Sequence, residues 1–142
     1  MEVRTALNLC NCFAVRQAAR QVTRLYERHL GEARLTSAQF SILATLGQGR
    51  RMTMAELAKV LVMDRTTLLR AMKPVQRAGL LRSASSEADP RQLVFSLSSA
   101  GERKLKQAIP LWMRAQEEFE SAMGRGEAAR LRGALLALAA QG

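Results

Sequence analysis

The chain has 142 residues, 48% of them hydrophobic, which is enough for a single domain with a buried core. Its 22 Lys and Arg residues outnumber 12 Asp and Glu residues and give a formal charge of +10, so we expect a polyanionic partner, nucleic acid before an anionic membrane surface. Polar residues interrupt every apolar run, so we expect no bilayer-spanning helix and no signal peptide, but a cytoplasmic protein with reduced cysteines.

Hydrophobic periodicity and capping signals predict six helices along the chain. They span residues 8–30, 37–46, 54–61, 65–78, 99–123 and 127–140. Three of them begin with a hydroxyl residue placed three positions before Gln or Glu: Thr36, Thr53 and Ser99. Asp64 is predicted to cap a fourth helix by accepting hydrogen bonds from the backbone N–H groups of Thr66 and Thr67.

Two prolines and one glycine refine this pattern. Pro74 and Pro110 lie inside helices whose apolar spacing continues beyond them, so each predicts a kink rather than a break. Gly79 follows the fourth helix, where a residue in the left-handed conformation commonly ends a helix.

A β-hairpin is predicted between the fourth and fifth helices. Leu93, Phe95 and Leu97 recur at a period of two, as in a half-buried strand. Residues 85–91, which precede them, are polar and turn-forming. Together with the two helices before it, this two-stranded hairpin predicts a winged helix-turn-helix over residues 36–98.

The terminal helices carry apolar residues that such a head does not need for its own core. In the fifth helix a series close to a heptad seam recurs by fours and threes: Leu105, Ile109, Trp112, Gln116, Phe119 and Met123. We therefore expect residues 1–35 and 99–142 to form a helical lobe that joins two copies into a homodimer. A monomer with an enlarged core is the alternative. The predicted fold class is mostly α with a small β-hairpin wing.

The fourth helix carries side chains suited to reading DNA. They are Arg65, Thr66 and Thr67 in the first turn, then Arg70 and Lys73 one and two turns on. Arginine pairs with O6 and N7 of guanine, and a threonine methyl packs on thymine. Leu68, Leu69 and Met72 are expected on the buried side. An ordinary solvated face is the alternative, but the helix before and the hairpin after favour a helix in the major groove.

The hairpin and the segment before the third helix carry further candidates. Arg91 follows Asp89 at the base of the hairpin, and a guanidinium on a wing fits the narrow minor groove. Asp89 is expected to orient that arginine through a side-chain pair. A turn with incidental charges is the alternative. Arg50 and Arg51 either contact phosphate or only add solubility, and the sequence leaves both open.

Five segments, in their order and spacing, resemble the MarR family of bacterial transcription regulators: Glu56-Leu57-Ala58, Asp64-Arg65-Thr66-Thr67, Arg77-Ala78-Gly79-Leu80-Leu81, Asp89-Pro90-Arg91 and Leu97-Ser98-Ser99-Ala100-Gly101. The resemblance covers nearly the whole chain. It implies a homodimer that binds a double-stranded palindromic operator, usually represses transcription, and is released by a small ligand or by oxidation. One departure is Val62, where many members have Gly. Because Val is costly at positive φ, we expect this turn to take another conformation.

Cys10 and Cys12 are the candidates for an oxidation sensor. The segment from Cys12 to Val15 resembles the reactive-cysteine site of the organic-hydroperoxide-sensing branch of that family, which implies a peroxidatic thiol at Cys12. That branch holds its thiolate with tyrosine hydroxyls, whereas this chain has only Tyr26. Residues two apart on one helix diverge by about 200°, so the two thiols are not expected to bridge each other. Two small buried hydrophobic residues are the alternative.

A small anionic or aromatic effector is the competing trigger, and we prefer it to the cysteine. Arginines recur every four residues along the first helix: Arg16, Arg20, Arg24 and Arg28. One of them, with Arg16 and Arg20 as candidates, would pair with a carboxylate in the crevice between lobe and head. A solvated basic face is the alternative.

The sequence lacks a nucleophile motif, a phosphate-binding loop and metal-ligand spacing, so we expect neither an enzyme nor a cofactor or metal. His29, the single histidine, is expected at the surface or in the dimer lobe. A basic RNA- or partner-binding module remains as a remote alternative. It would need exposed aromatic rings, whereas the six aromatic residues mostly fall at predicted core positions.

Overall fold

Helices dominate the computed structural model, which describes residues 2–141, and a small sheet accompanies them. Its elements are α1 Val3–Asn8, α2 Asn11–Leu30, a 3₁₀ turn Gly31–Ala33, α3 Ser37–Thr45, β1 Met52–Thr53, α4 Met54–Leu61, α5 Arg65–Arg77, β2 Leu81–Ser85, β3 Leu93–Leu97, α6 Ser99–Met123 and α7 Arg125–Ala139. The predicted mostly helical fold with a β-hairpin wing is confirmed. No helix in this range is both long and apolar enough to cross a membrane.

The sheet has three antiparallel strands in the order β1-β3-β2 rather than the two predicted. The hairpin pairs β2 with β3, with Ser83 opposite Phe95, and Met52 of β1 lies opposite Phe95 on the other side. The strand β1 has only two residues, too few for a period of two to appear in the sequence. It joins the start of α4 to the wing, so the head is held together as one unit.

The predicted helix starts are largely correct because the caps are chemically specific. Thr36 and Gln39 form both bonds of a capping box, at 3.2 and 3.0 Å, and Thr53 Oγ1 accepts the Glu56 N–H at 3.2 Å. The predicted cap of α6 is one residue too late in the sequence. Ser98, not Ser99, is the cap: its Oγ accepts the N–H of Gly101 at 3.1 Å.

The first predicted helix is interrupted. Residues 8–30 do not form one helix, because the chain is extended at Cys10, between α1 and α2. The Cys10 Sγ accepts the N–H of Phe13 at 3.4 Å and so caps α2 in the manner of a hydroxyl. Cysteine is not a usual capping residue, so the sequence did not signal this break.

Both prolines lie within continuous helices, as predicted. The helix α5 continues through Pro74 and α6 through Pro110. Gly79 has φ +73° and ends α5 in the left-handed conformation, also as predicted. The expectation for Val62 is wrong. It has φ +51° and ψ +49°, and the N–H of Met63 bonds to the carbonyl of Ala58 at 3.0 Å, which holds the strained turn in place.

The core lies between the helices α2, α3, α4, α5 and α6 and the sheet. Its fully buried side chains include Leu30, Ile42, Leu43, Leu46, Leu57, Leu68 and Met72. The buried stripe of α6 is Gly101, Leu105, Ala108, Leu111 and Ala115, and it follows the contact with α2, α3 and the wing. Ile109 and Met123 of the predicted dimer seam are exposed in the single chain, and the seam stays a prediction.

Candidate nucleic-acid interface

The helix α5 divides cleanly into a buried and an outer stripe. Leu68, Met72 and Val75 face the core. The opposite stripe steps by four, three and four and is exposed throughout: Thr66, Arg70, Lys73 and Arg77. The structure therefore brings three predicted DNA-binding residues together on one stripe. Arg77 was missed, although its spacing from Thr66 places it on the same stripe.

The start of α5 is fixed by Asp64. Its carboxylate accepts the Thr67 N–H at 2.7 Å and the Thr67 hydroxyl at 3.0 Å. These bonds to Thr67, the backbone one first, hold the pKa of Asp64 below its usual value. Because the Thr67 hydroxyl already donates its proton to Asp64, it is left as an acceptor only, and Thr66 is the freer hydroxyl at the helix start.

A groove separates α5 from the wing and joins candidates from both. It has a volume of about 690 Å³ and is lined by Arg65, Leu69, Gln76, Asp89, Arg91 and Leu93, among others. The prediction that Leu69 is buried is wrong, because 38% of the residue is exposed. Arg65, Leu69 and Gln76 are spaced by four and seven residues and so lie on one side of α5. The same spacing could therefore have identified Gln76 as a residue of this groove.

The wing arginine is tied to the predicted aspartate. Asp89 Oδ1 accepts the backbone N–H of Arg91 at 3.0 Å and its side-chain Nε at 3.4 Å. The Arg91 side chain nevertheless remains 93% exposed, so this pair adds little stability but restrains the direction of that side chain. The arginine thus projects from the turn with its terminal N–H groups free for an anion.

Arg50 and Arg51 are both exposed and lie just before β1. They differ in their surroundings. Arg50 lines a cleft between α3 and α6 together with Phe40 and Trp112. Sequence reasoning could not link these three residues, because they come from separate parts of the chain.

The candidate sensor residues lie on or before α2. Cys12 is exposed and Cys10 half-buried, and since Cys10 precedes α2, the helical argument against a bridge between them does not apply. Arg16 and Arg20 are exposed and line neither of the two clefts that contain Phe40 and Trp112. Their role as effector ligands stays a prediction.

His29 is half-buried on α2, within the predicted dimer lobe. Its side chain is 22% exposed, and its Nε2 lies 3.7 Å from a carboxylate oxygen of Glu118, which also binds Arg28 at 3.0 Å. Among residues 2–141, that buried nitrogen has no hydrogen-bond partner. The same part of the chain contains no cluster of three or more residues able to hold a metal ion.

Known proteins match both the head and the whole chain. Residues 35–101 match the family described as a winged helix DNA-binding domain. The transcriptional regulator MosR of M. tuberculosis, solved in complex with DNA, is 36% identical with a TM-score of 0.82, over 93% of this chain and 95% of that one.

Two further proteins extend this likeness. A MarR variant from E. coli, solved with operator DNA, has the same fold, with a TM-score of 0.78 and 23% identity over 88% of this chain and 90% of that one. The organic hydroperoxide resistance transcriptional regulator of Bacillus subtilis is 26% identical over 100 residues, which are 70% of this chain and 68% of that protein. MosR and the Bacillus subtilis protein are transcription regulators, which favours duplex DNA over the RNA-binding alternative.

Proposed function

The chain belongs to the MarR family of bacterial winged helix-turn-helix transcription regulators, and from that membership we propose that it represses transcription as a homodimer on a palindromic operator. It is a DNA-binding regulator and not an enzyme. The proposal adds the dimer, the repressor role and release from the operator by a small ligand.

The outer stripe of α5 is the observation that carries the proposed contact with DNA. Thr66, Arg70, Lys73 and Arg77 present one hydroxyl and three cations, without a carboxylate among them. In the major groove, Arg70 would read guanine, while Lys73 and Arg77 would bind phosphate. Arg91 on the wing would enter the neighbouring minor groove. Arg65 and Gln76, in the groove between helix and wing, would meet the intervening backbone.

The apolar side of α7 supports the dimer. Leu131, Leu135 and Leu138 recur by four and three, so they share one side of the helix, and all are exposed in the single chain. Leu136 beside them is 64% exposed. A monomer rarely leaves so many large apolar residues of one helix in water. A second copy related by a twofold axis would cover them with the same surface and set two reading heads side by side.

The dimer is tested by placing a charge on that surface. Leu136→Asp should shift the mass in solution from dimer to monomer at micromolar concentration, because a carboxylate would be buried in the interface. Val60→Asp is the matched control, since Val60 is 57% exposed but lies on α4, outside the lobe. Light scattering after size exclusion measures both variants. A monomeric wild type, or a dimer unaffected by Leu136→Asp, contradicts the proposal.

The operator is tested by selection from random duplex DNA. A twofold dimer should select a palindrome with half-sites about 10 base pairs apart, one helical turn. The selected site, placed in a promoter ahead of a reporter gene, should then lower expression when the protein is present. Enrichment of a single unrepeated half-site would argue against two reading heads, and increased expression would argue against repression.

Thiol oxidation is the second candidate trigger. Cys12 is exposed at the start of α2, and Cys10 precedes it at the cap, so both thiols lie near the same helix end. The relative from Bacillus subtilis is named for organic hydroperoxide resistance. A thiol is oxidised where it is accessible and its thiolate is favoured, which a helix N-terminus promotes.

A further inference from the structure

Two leucines that line the groove between α5 and the wing remain exposed. Leu69 of α5 is 38% exposed and Leu93 of β3 is 49% exposed, although both line the same groove of about 690 Å³. A groove that closed on itself would bring such side chains together and remove them from water. The apolar lining of this groove is therefore open to a partner.

Leu69 borders the outer stripe of α5, which carries the proposed contacts with DNA. It lies three residues after Thr66 and four before Lys73, and residues at these spacings are neighbours on the surface of a helix. At 3.6 residues per turn, Leu69 points about 70° away from the middle of the outer stripe, whereas the buried Leu68 points about 170° away. Leu69 therefore lies at the edge of the proposed DNA-facing surface and not on the core side of the helix.

The charges around the groove favour a polyanion as its partner. Arg65 and Arg91 both line the groove, and they outnumber the one carboxylate there, Asp89, which is bound to Arg91. An apolar peptide would cover the leucines but would leave these cations without a partner. A DNA duplex offers phosphates to the arginines and base edges to the helix in a single ligand.

Thymine carries the apolar group that a leucine can recognise in the major groove. Among the groups that distinguish the base pairs there, the thymine C5-methyl is apolar, whereas the others are hydrogen-bond donors or acceptors. A leucine side chain neither donates nor accepts a hydrogen bond, so it would leave the amino group of a cytosine unpaired. Contact with Leu69 would therefore favour thymine over cytosine at one position.

We propose that Leu69 is a specificity-determining residue whose side chain packs on the C5-methyl of one thymine in each half-site. This inference rests on the proposed function, in which α5 lies in the major groove. It adds a base contact from an apolar residue at the edge of the cationic stripe. Burial of one methyl group corresponds to a change of about fourfold in affinity.

Deoxyuridine tests this contact directly, because it pairs as thymidine does and lacks only the C5-methyl. Each thymidine of the selected duplex is replaced singly, and affinity is measured by fluorescence anisotropy. For wild type, a replacement in each half-site should lower affinity about fourfold. The same replacement should have no effect on Leu69→Ala, whereas Leu69→Met, which keeps a large apolar side chain, should retain most of the effect. If no position loses its effect in Leu69→Ala, the proposal is wrong.

Thr66→Ser is the matched control, because it removes a methyl group one turn before Leu69 and keeps the hydroxyl. The deoxyuridine effect assigned to Leu69 should persist in this variant. Conversely, a duplex with cytosine at the assigned position should bind wild type about fourfold more tightly when that base is 5-methylcytosine, but should not do so with Leu69→Ala. Loss of the deoxyuridine effect in both Thr66→Ser and Leu69→Ala would show a general displacement of α5 and overturn the assignment of Leu69.

Two further measurements separate this inference from the proposed function. Binding of wild type to the unmodified duplex is measured first, and absence of binding or of any base preference defeats the proposed function and, with it, this inference. Leu69→Ala changes no charge, so its affinity should depend on salt concentration as that of wild type does. A shallower salt dependence would mean that α5 has moved away from the phosphates. Intact base preference with equal deoxyuridine effects in wild type and Leu69→Ala defeats this inference alone.

Discussion

Gly101 of α6 packs so closely on Leu80 that a Cβ atom at position 101 would lie 2.1 Å from the Leu80 carbonyl oxygen. The same oxygen accepts the N–H of Ser98 at 3.0 Å, and the Ser98 hydroxyl donates to the carbonyl of Gly79 at 2.6 Å. The end of α5 is therefore bonded directly to the start of α6. This contact joins the winged helix-turn-helix to the long helix α6.

The first prediction is that Gly101→Ala destabilises the protein by about 1–3 kcal/mol, because backbone atoms rather than a flexible side chain must move. Gly31→Ala is the matched control, since nothing lies within 4 Å of a Cβ there and its φ is −60°. Urea denaturation of both variants measures the difference. Equal stability of the two would contradict the close approach at Leu80.

The second prediction concerns the strained turn at Val62. This residue is 68% exposed and left-handed, a conformation that costs a β-branched residue about 1–2 kcal/mol and glycine almost nothing. Val62→Gly should therefore raise the free energy of unfolding by roughly 0.5–1 kcal/mol, after the greater entropy of the unfolded glycine is subtracted. Val60→Gly, two residues earlier in α4, should lower the free energy of unfolding by roughly 0.3–0.5 kcal/mol, because glycine is the poorer helix former of the two. A loss in both variants would show that Val62 is not strained.

The third prediction uses the lowered pKa of Asp64. A carboxyl group whose pKa is lower in the folded than in the unfolded protein stabilises the fold at pH values above its ordinary 3.8, and this contribution disappears as pH falls through the lowered value. Asp64→Ala should thus be less stable than wild type from about pH 5 to 8, and the gap should narrow below 3.8. Asp64→Asn keeps a neutral capping group and should therefore lose less stability at neutral pH than Asp64→Ala does. A gap that is constant down to pH 2.5 would exclude the carboxylate as its source.

Most helices could be predicted because their starts depend on local chemistry. Thr36, Thr53 and Asp64 bond to N–H groups only three residues away, so the evidence for each cap lies within one turn of sequence. The break before α2 could not be predicted, because Cys10 is an unusual capping residue. The strand β1 could not be predicted either, because its pairing with β3 is a long-range contact that leaves no pattern in two residues.

The candidate site shows the same division between local and long-range information. Thr66, Arg70 and Lys73 could be predicted, because their side of the helix follows from spacing alone. The buried stripe of α6 could not be predicted from spacing, because it depends on which residues α2, α3 and the wing cover. Nor could the cleft at Arg50, whose aromatic walls come from α3 and α6.

The fourth prediction separates base reading from phosphate binding. Arg70→Ala should cost on the order of 1–3 kcal/mol on the operator and flatten base preference within each half-site. Lys73→Ala should weaken all sequences alike and make the dependence of affinity on salt shallower, because one fewer counterion is released. Fluorescence anisotropy on operator and scrambled duplexes at several salt concentrations measures both. Intact base preference in Arg70→Ala would mean that another side of α5 faces the bases.

The last prediction tests whether Cys12 senses oxidants. An organic hydroperoxide oxidises a thiolate to a sulfenic acid and leaves as the alcohol, and the exposed Cys12 is the more accessible of the two thiols. If Cys12 is a sensor, one equivalent of cumene hydroperoxide should release wild type from its operator, while Cys12→Ser should stay bound. Cys10→Ser should still release DNA and should differ only in recovery or overoxidation, because Cys10 is half-buried at the cap of α2.

The controls for this last experiment distinguish thiol oxidation from a structural effect of the substitutions. Cys10→Ser keeps an oxygen that can cap α2, so a change in its helix content, measured by circular dichroism, would reveal a structural rather than a redox effect. If wild type and both serine variants respond to the peroxide alike, thiol oxidation is not the signal. We expect this second result, because a thiolate at Cys12 lacks the tyrosine pair that its resemblance would require: the chain has only Tyr26. An inducer must bind the DNA-free form more tightly than the DNA-bound form, so a ligand screen should measure DNA release and thermal stability together.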